Sequence, residues 1–254
     1  WKLHKITGIE PSASYDLYSL WNYRMPDPYR FTSPEDFLMQ ISFTDDLSEK
    51  WFVTIHQAIE AVVAPQVPAL MKAHLLSDYS ASKLGKHETP PLEEVALCLE
   101  HAAMAESRAV NVLERMREHC DPGTYFDRIR LYYSFPNHVI FDGVDELEGK
   151  PQEIFGETGG QSPSRHFRLL GAGILHEKDT YLTKMRGHMS HPHRELLEFM
   201  AKSKTREFVL ANRSNKMLVR RYRTLIDAII DFRAEHLSQV GEYITTFGEV
   251  YGTG

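Results

Sequence analysis

The sequence predicts an all-α protein, a single large helical bundle, on three observations. Beyond residue 44, apolar residues recur at steps of three and four, while strand-like alternation is scarce. The chain has 254 residues and is 42% hydrophobic, enough for one sizeable core. No internal repeat, low-complexity tract or second-domain linker interrupts it.

Residues 1–43, with Trp1, Trp21 and several tyrosines, read as an irregular lead-in with short helical pieces, and residues 44–254 as the helical domain. A helix starts near Ser48 and buries Phe52, Ile55, Ile59, Val62 and Val63, until Pro65 removes a backbone donor. His56 shares that apolar stripe. A second helix opens at Pro90 or Pro91 and places Glu93 and Glu94 at the positive end of its dipole; it runs to about Cys120, where Asp121-Pro122-Gly123 ends it. A third begins after Pro122 and sets Phe126 and Arg130 at i and i+4, on one face. Residues 136–163 break the pattern with glycine, proline and acids, and long loops in compact domains often carry function. Helices resume at Ser164–His176, Lys178–His188, His191–Lys202 and Lys204–Leu210. The last runs from about Asn215 to Ile244, with Leu218, Tyr222, Leu225, Ile229, His236, Val240 and Ile244 facing inward.

A net charge of −6 without a Lys/Arg block leaves no footprint for nucleic acid. No apolar run reaches the ~18 residues of a membrane span. The start, WKLHKITGIE, has neither a signal-peptide layout nor an initiator methionine, so a soluble cytoplasmic chain trimmed at its N-terminus is expected. Cys98 and Cys120 lack metal-ligand spacing and read as packing residues of a reducing compartment.

The chemical candidates are few. His236 lies on the inner face of the last helix with Arg233 one turn earlier, and His56 lies on another helix; each reads equally as a core histidine bonded to a backbone carbonyl. Arg130, beside Tyr125, Phe126 and Tyr133, suits a carboxylate clamp or an arginine snorkelling over aromatics. His188, His191 and His193 invite zinc, but no HExxH or Cys/His spacing accompanies them, and a helix boundary is the simpler reading. GETGGQSP lacks the GK[ST] ending of a phosphate loop, although Gly159 and Gly160 would let main chain approach a ligand. Neither a nucleophile elbow nor a dinucleotide fingerprint is present.

Six segments, in order, are ISFTDDLSEKWFVTIHQAIEA, DPGTYFDRIRLYYS, FGETGGQSP, HPHRELLEFMAKSKTREFVL, FRAEHLSQVGEYI and the terminal GTG. Together they resemble the indoleamine 2,3-dioxygenase family, histidine-ligated heme-dependent oxygenases of aromatic amino acids, from Ile41 to Gly254. The resemblance implies a large helical domain enclosing heme b, with His236 as proximal iron ligand and Arg233 beside a heme propionate. It makes Arg130 the anchor of the substrate carboxylate and sets Tyr125 where the family has a phenylalanine beside the substrate ring. His56 falls at a distal position, with a role in the chemistry, and Ser134 at a distal-side serine. Phe52 and Val53 would line the same pocket, and Thr158 and Gly159 the loop near the substrate's amino group. Gly252, Thr253 and Gly254 would begin a mobile loop that closes over the site.

Three departures accompany the match: the family's smaller N-terminal domain is expected to be missing, Tyr125 replaces a phenylalanine, and residues 164–172 carry no acid. The function expected from the resemblance is oxygen insertion into an aromatic amino acid, foremost dioxygenation of the indole of L-tryptophan or a derivative, using O2 and a reductant for the ferric heme. The alternatives are a monooxygenase or H2O2-using hydroxylase of tyrosine or a tryptophan derivative, and a non-catalytic heme sensor. Nucleic acid and membrane are not expected partners, and the oligomeric state stays open.

Overall fold

Helices Leu92–Glu114 and Lys216–Val240 form the most extensive helix–helix contact of the fold. Ala96, Ala102, Ala103, Ala105 and Ala109 keep the first of them slim, and Leu218, Leu225 and Ile229 of the second are buried on one stripe. The Asn215 side chain accepts from the backbone N–H of Leu218 and so caps the second. In the computed structural model, residues 1–9, 11, 14–27, 33–83, 89–133, 138–154, 156–175 and 180–251 are described.

Helix Leu47–Val63 packs beside Leu92–Glu114, with the Asp46 side chain accepting from the N–H of Ser48 at its start. Pro65 separates it from a further helix, Gln66–Lys83, whose apolar positions are spread around the axis and give little periodic signal. The helix predicted to reach Cys120 is interrupted at Arg115, and a short turn, Met116–His119, completes it. The segment after Asp121 is helical as Pro122–Thr124, then a π-turn Tyr125–Ile129, then Arg130–Tyr133. The final helix likewise passes through a π-turn, Gly241–Thr245, into Thr246–Tyr251.

Helix Pro163–Gly171 stops short of the predicted His176, a residue outside the described ones. Gly173 takes φ 71°, and a Cβ there would stand 2.7 Å from Arg206 Cβ. The remaining α-helices among the described residues are Lys2–Thr7, Thr180–Met185, His191–Met200 and Thr205–Ala211. Two antiparallel pairs of two-residue strands decorate the bundle: Tyr23–Arg24 with Leu38–Met39, and His138–Val139 with Gln152–Glu153.

The core falls into two clusters. One gathers Leu70, Leu99, Phe167, Met200, Leu218 and Leu225; the other gathers Trp51, Ile55, Val63, Leu113, Ile129 and Tyr243. Tyr18 and Phe37, from the first 43 residues, are built into the second cluster. Cys98 and Cys120 are buried and free, as packing residues. His191 pairs with Glu195 at the surface and His193 bonds Ser190; no metal-binding group of three appears among the described residues.

Glu49, fully buried, is the knot that ties residues 42–44 to the start of the Leu47–Val63 helix. Its carboxylate accepts from the hydroxyls of Tyr18, Ser42 and Thr44 and from the N–H groups of Phe43 and Thr44. Burial pushes its pKa up, but these donors outweigh burial and hold the carboxyl below its ordinary 4.5. A depressed carboxyl stabilises the fold above its unfolded pKa, and that contribution drains away as pH falls through the folded value. Glu49→Ala is therefore expected to cost roughly 1–3 kcal/mol through the buried donors it abandons. Urea unfolding at pH 7 measures the loss, and the variant's stability should vary less with pH below about 4.5 than that of the parent.

Candidate functional site

Two cavities of about 450 Å³ each adjoin at His236 and Tyr181, which line both. The first is aromatic, walled by Tyr15, Phe52, Tyr125, Tyr133 and Tyr243, and is also reached by His56, Arg130, Glu157 and Gln239. The second is aliphatic and basic: Leu169, Ile174, Leu182 and Ile229 are interleaved with Arg165, Arg168 and Arg233.

His236 sits near the end of the Lys216–Val240 helix. That end is fixed by Gln239, whose Nε2 donates to the Leu113 carbonyl (2.7 Å), and by Arg117, which bridges Glu235 (2.6 Å) and Glu242 (2.8 Å). Burial lowers the His236 pKa to about 4, with the charges of Arg165, His56, Arg168 and Arg233 adding to the effect. The imidazole is thus neutral at physiological pH and has a nitrogen lone pair to offer. Arg233, one turn earlier, is exposed but lines the second cavity.

His56, on Leu47–Val63, donates Nδ1–H to the Phe52 carbonyl at 2.7 Å, an ordinary i−4 acceptor. Burial lowers its pKa, so the ring is neutral and Nε2 carries the lone pair. Phe52 packs against His56 (4.4 Å between centroids), Tyr125 (4.7 Å) and Tyr133 (5.4 Å), and so ties one wall together. Tyr125 is buried, and burial pushes its phenol pKa well up. The Arg130 guanidinium lies over the Phe126 ring at 5.2 Å, as their i, i+4 spacing predicts, while also lining the cavity. Thr158 and Gly159 line the cavity too, and the Thr158 hydroxyl caps its turn by accepting from the Gly160 N–H.

Sequence reasoning set Val53 beside Phe52 in the pocket. In the structure Val53 is fully buried in the second core cluster and is not a lining residue, because one step along a helix turns a side chain by about 100°. Ser134, Gly252, Thr253 and Gly254 lie outside the described residues.

The loop at 156–162 is locked by several bonds. Gln161 donates to the Gly156 carbonyl (2.8 Å) and accepts from the Tyr15 N–H (2.9 Å), while His166 donates to the Gly160 carbonyl (2.7 Å). Glu60 accepts from both the Ser162 and the Tyr15 hydroxyls. A Cβ at Gly160 would sit 3.0 Å from the Tyr181 ring, so the exposed tyrosine would have to give by a few tenths of an ångström to admit one.

Sequence reasoning missed Tyr15, Tyr133, Glu157, Tyr181, Arg165 and Arg168. Arg165 and Arg168, three apart on a short helix after the glycine loop, were the one pattern that could have been found by spacing. Arg168 is buried, pairs with Glu106 (2.6 Å), stacks on Phe232 (4.3 Å) and keeps Nε without a hydrogen-bond partner among the described residues. Gln66 supports Glu106 from the other side at 2.7 Å.

The structure defines the class only as a helical domain that holds a neutral histidine between an arginine-lined aliphatic cavity and an aromatic chamber. Similarity to known proteins narrows the class. The sequence profile of the indoleamine 2,3-dioxygenase family matches residues 1–249, and the chain belongs to that family. Enzymes of the family are heme-dependent oxidoreductases. The chain is 27% identical to indoleamine 2,3-dioxygenase 1 of Rattus norvegicus, over 96% of this chain and 60% of that protein. It is 26% identical to the 6-hydroxytryptophan 2,3-dioxygenase fscD of Fusarium equiseti, over 93% and 58%, and 27% identical to the indoleamine 2,3-dioxygenase qulI of Penicillium citrinum, over 93% and 54%. The chain thus spans little more than half the length of these relatives.

Removing one partner of a buried ion pair strands the other charge. Glu106→Ala should cost roughly 3–5 kcal/mol in denaturant unfolding, whereas removing the exposed pair of Lys150 and Glu148 should leave stability nearly unchanged.

Proposed function

We propose that this chain encloses heme b and catalyses the dioxygenation of the indole ring of L-tryptophan or a derivative. The observation that carries the reading is His236, a neutral imidazole shared by two adjoining cavities. The residues present fit the cofactor: His236 would ligate iron, while Arg233, with Arg165 and Arg168, would face the propionates. The unpartnered Nε of Arg168 and the aliphatic lining of the second cavity support this, since a porphyrin needs apolar walls and cationic partners for its carboxylates. When bound, heme supplies the activation of dioxygen and requires a reductant that restores the ferrous state.

The chain's own residues position the substrate. Arg130 takes the α-carboxylate, a charge-assisted contact worth roughly 1.5–3 kcal/mol, and its stacking on Phe126 limits the directions it can point. His56 accepts the indole N–H at Nε2, because Nδ1–H is committed to the Phe52 carbonyl. Phe52 and Tyr125 clamp the ring, and the aromatic walls exclude water. Thr158 and Gly159 stand by the amino group; Ser134 and Thr253 complete the site by resemblance alone. Names among the relatives include both indoleamine and 6-hydroxytryptophan, which supports tryptophan or a derivative as the substrate class. A cytoplasmic location belongs to the same proposal, and the two buried free thiols suit it. No helix among the described residues is long and apolar enough to cross a membrane.

Mass spectrometry of products formed with labelled O2 tests the reading. Both labelled atoms should enter an indole product. One atom would mean a monooxygenase, and neither turnover nor an aromatic-amino-acid-induced Soret shift would mean a sensor. Arg130→Leu is expected to keep heme and raise KM by about 10- to 150-fold. His236→Ala should lose heme or its normal spectrum, and His56→Ala should keep the Soret band while lowering turnover.

A further inference from the structure

The phenols that line the aromatic cavity are Tyr15, Tyr125, Tyr133, Tyr181 and Tyr243. Most of their hydroxyls are engaged or hidden: Tyr15 donates to Glu60, Tyr243 donates to the Cys120 carbonyl, Tyr181 shares a hydrogen bond with Thr158, and Tyr133 Oη is sealed from solvent. Tyr125 differs. The residue is only 7% exposed, yet its Oη makes no hydrogen bond among the described residues and keeps surface open to the cavity it lines. Burial pushes this phenol's pKa well up, so at neutral pH it carries a proton with no acceptor in the wall around it. A hydroxyl so placed in a binding chamber points to a ligand.

Main chain ties that donor to Arg130. The Arg130 N–H bonds the Tyr125 carbonyl and closes the π-turn Tyr125–Ile129. At about 100° per residue, an α-helix would point residues five apart roughly 140° from each other. A π-turn closes its hydrogen bond across five residues instead, and so brings residues i and i+5 to one side. Tyr125 and Arg130 accordingly both line the same cavity. Their side chains are braced separately: Phe52 and Tyr243 hold the Tyr125 ring at 4.7 and 5.8 Å, and the Phe126 ring carries the guanidinium at 5.2 Å.

We propose that the Tyr125 hydroxyl is a second arm of the carboxylate anchor, donating to the same α-carboxylate that Arg130 pairs with. The inference rests on the oxygenase reading and deepens it: the ring of Tyr125 walls the pocket while its tip selects the amino-acid head group. The ammonium and indole N–H of L-tryptophan are donors, so its carboxylate is the one group that can take a phenolic proton. That carboxylate has about four lone-pair sites, and a guanidinium fork leaves room among them for an O–H donor. A phenol that accepted from the ammonium or the indole would leave its own proton without an acceptor once the site is filled. A phenylalanine at this position would leave the arginine to act alone; the hydroxyl adds discrimination against analogues that lack the carboxylate.

The test is equilibrium titration of the heme-loaded chain, followed by calorimetry and by the Soret band, with L-tryptophan against tryptamine and L-tyrosine against tyramine, pairs that differ in the carboxylate alone. Tyr125→Phe should weaken whichever acid the parent binds better by about 10-fold or more and leave the matching amine unchanged. Indole-3-propionate, which keeps a carboxylate and lacks the ammonium, should lose affinity as L-tryptophan does. Tm and heme content should stay at the parent's values, because the variant gives up no hydrogen bond within the protein. Unchanged affinity for the acid overturns the second arm, as does an equal loss for acid and amine, or a parent that binds neither acid. A loss confined to the acids, in a chain that incorporates no oxygen, would uphold the arm and refute the oxygenase reading. Oxygen incorporation into L-tryptophan with parent-like affinity in Tyr125→Phe would do the reverse.

Discussion

The packing of Lys216–Val240 on Leu92–Glu114 is the constraint on which the rest depends. Alanines at 102, 103, 105 and 109 let the two helices lie close, and the contact fixes both rotation and register of the later helix. At its C-terminal end the bond from Gln239 to the Leu113 carbonyl and the Arg117 bridges hold the turn that carries His236. A histidine on a frayed helix end would sample several rotamers and hydrate. Here a main-chain acceptor on one helix fixes a side chain on the other three residues past His236, so the imidazole keeps its place where the two cavities adjoin.

The aromatic chamber owes its shape to irregular helix. Three π-turns occur among the described residues, at Asp16–Leu20, Tyr125–Ile129 and Gly241–Thr245; the second and third contribute lining residues to the first cavity, and the first follows one. The first comes directly after Tyr15 and holds Ser19, the second opens with Tyr125, and the third holds Tyr243 and Ile244. A π-turn inserts a residue and rotates the next stretch of helix about its axis, at the cost of weaker hydrogen-bond geometry, and such turns concentrate at functional sites. Compensation is visible locally: Tyr243 donates to the Cys120 carbonyl (2.8 Å) and meets Tyr125 edge-on at 5.8 Å, so the second and third π-turns brace each other.

Periodicity made most of the bundle legible, because an amphipathic helix writes its buried face into sequence. Gln66–Lys83 escaped since its apolar residues do not form one stripe, whereas Pro65, a residue that interrupts or kinks a helix, does stand at the break between the two. Within the site, His56, Arg130 and His236 could be singled out as chemically apt residues on inward faces, and the i, i+4 rule foresaw the contact of Arg130 with Phe126. Phe52 lines the first cavity and Val53 does not, because neighbours on a helix point about 100° apart. Glu157, Tyr133 and Arg168 stayed hidden because their distinguishing property, burial with an unsatisfied atom, arises only when distant segments are brought together.

Electrostatics divides the two cavities. Around His236 the nearby charges are arginines, and the short helix Pro163–Gly171 supplies two of them, Arg165 and Arg168. These positive charges oppose protonation of the imidazole and favour carboxylates in the second cavity. The first cavity carries its positive charge at Arg130, among phenols and a carboxyl. Glu157 raises the pKa of Tyr15, Tyr125 and Tyr133 in addition to the effect of their burial, so protons are retained on all of these groups at neutral pH. A chamber that carries one guanidinium among neutral phenols favours a molecule with an anionic group and an uncharged aromatic ring. It penalises a ring that carries charge, because aromatic walls and protonated phenols do not compensate one.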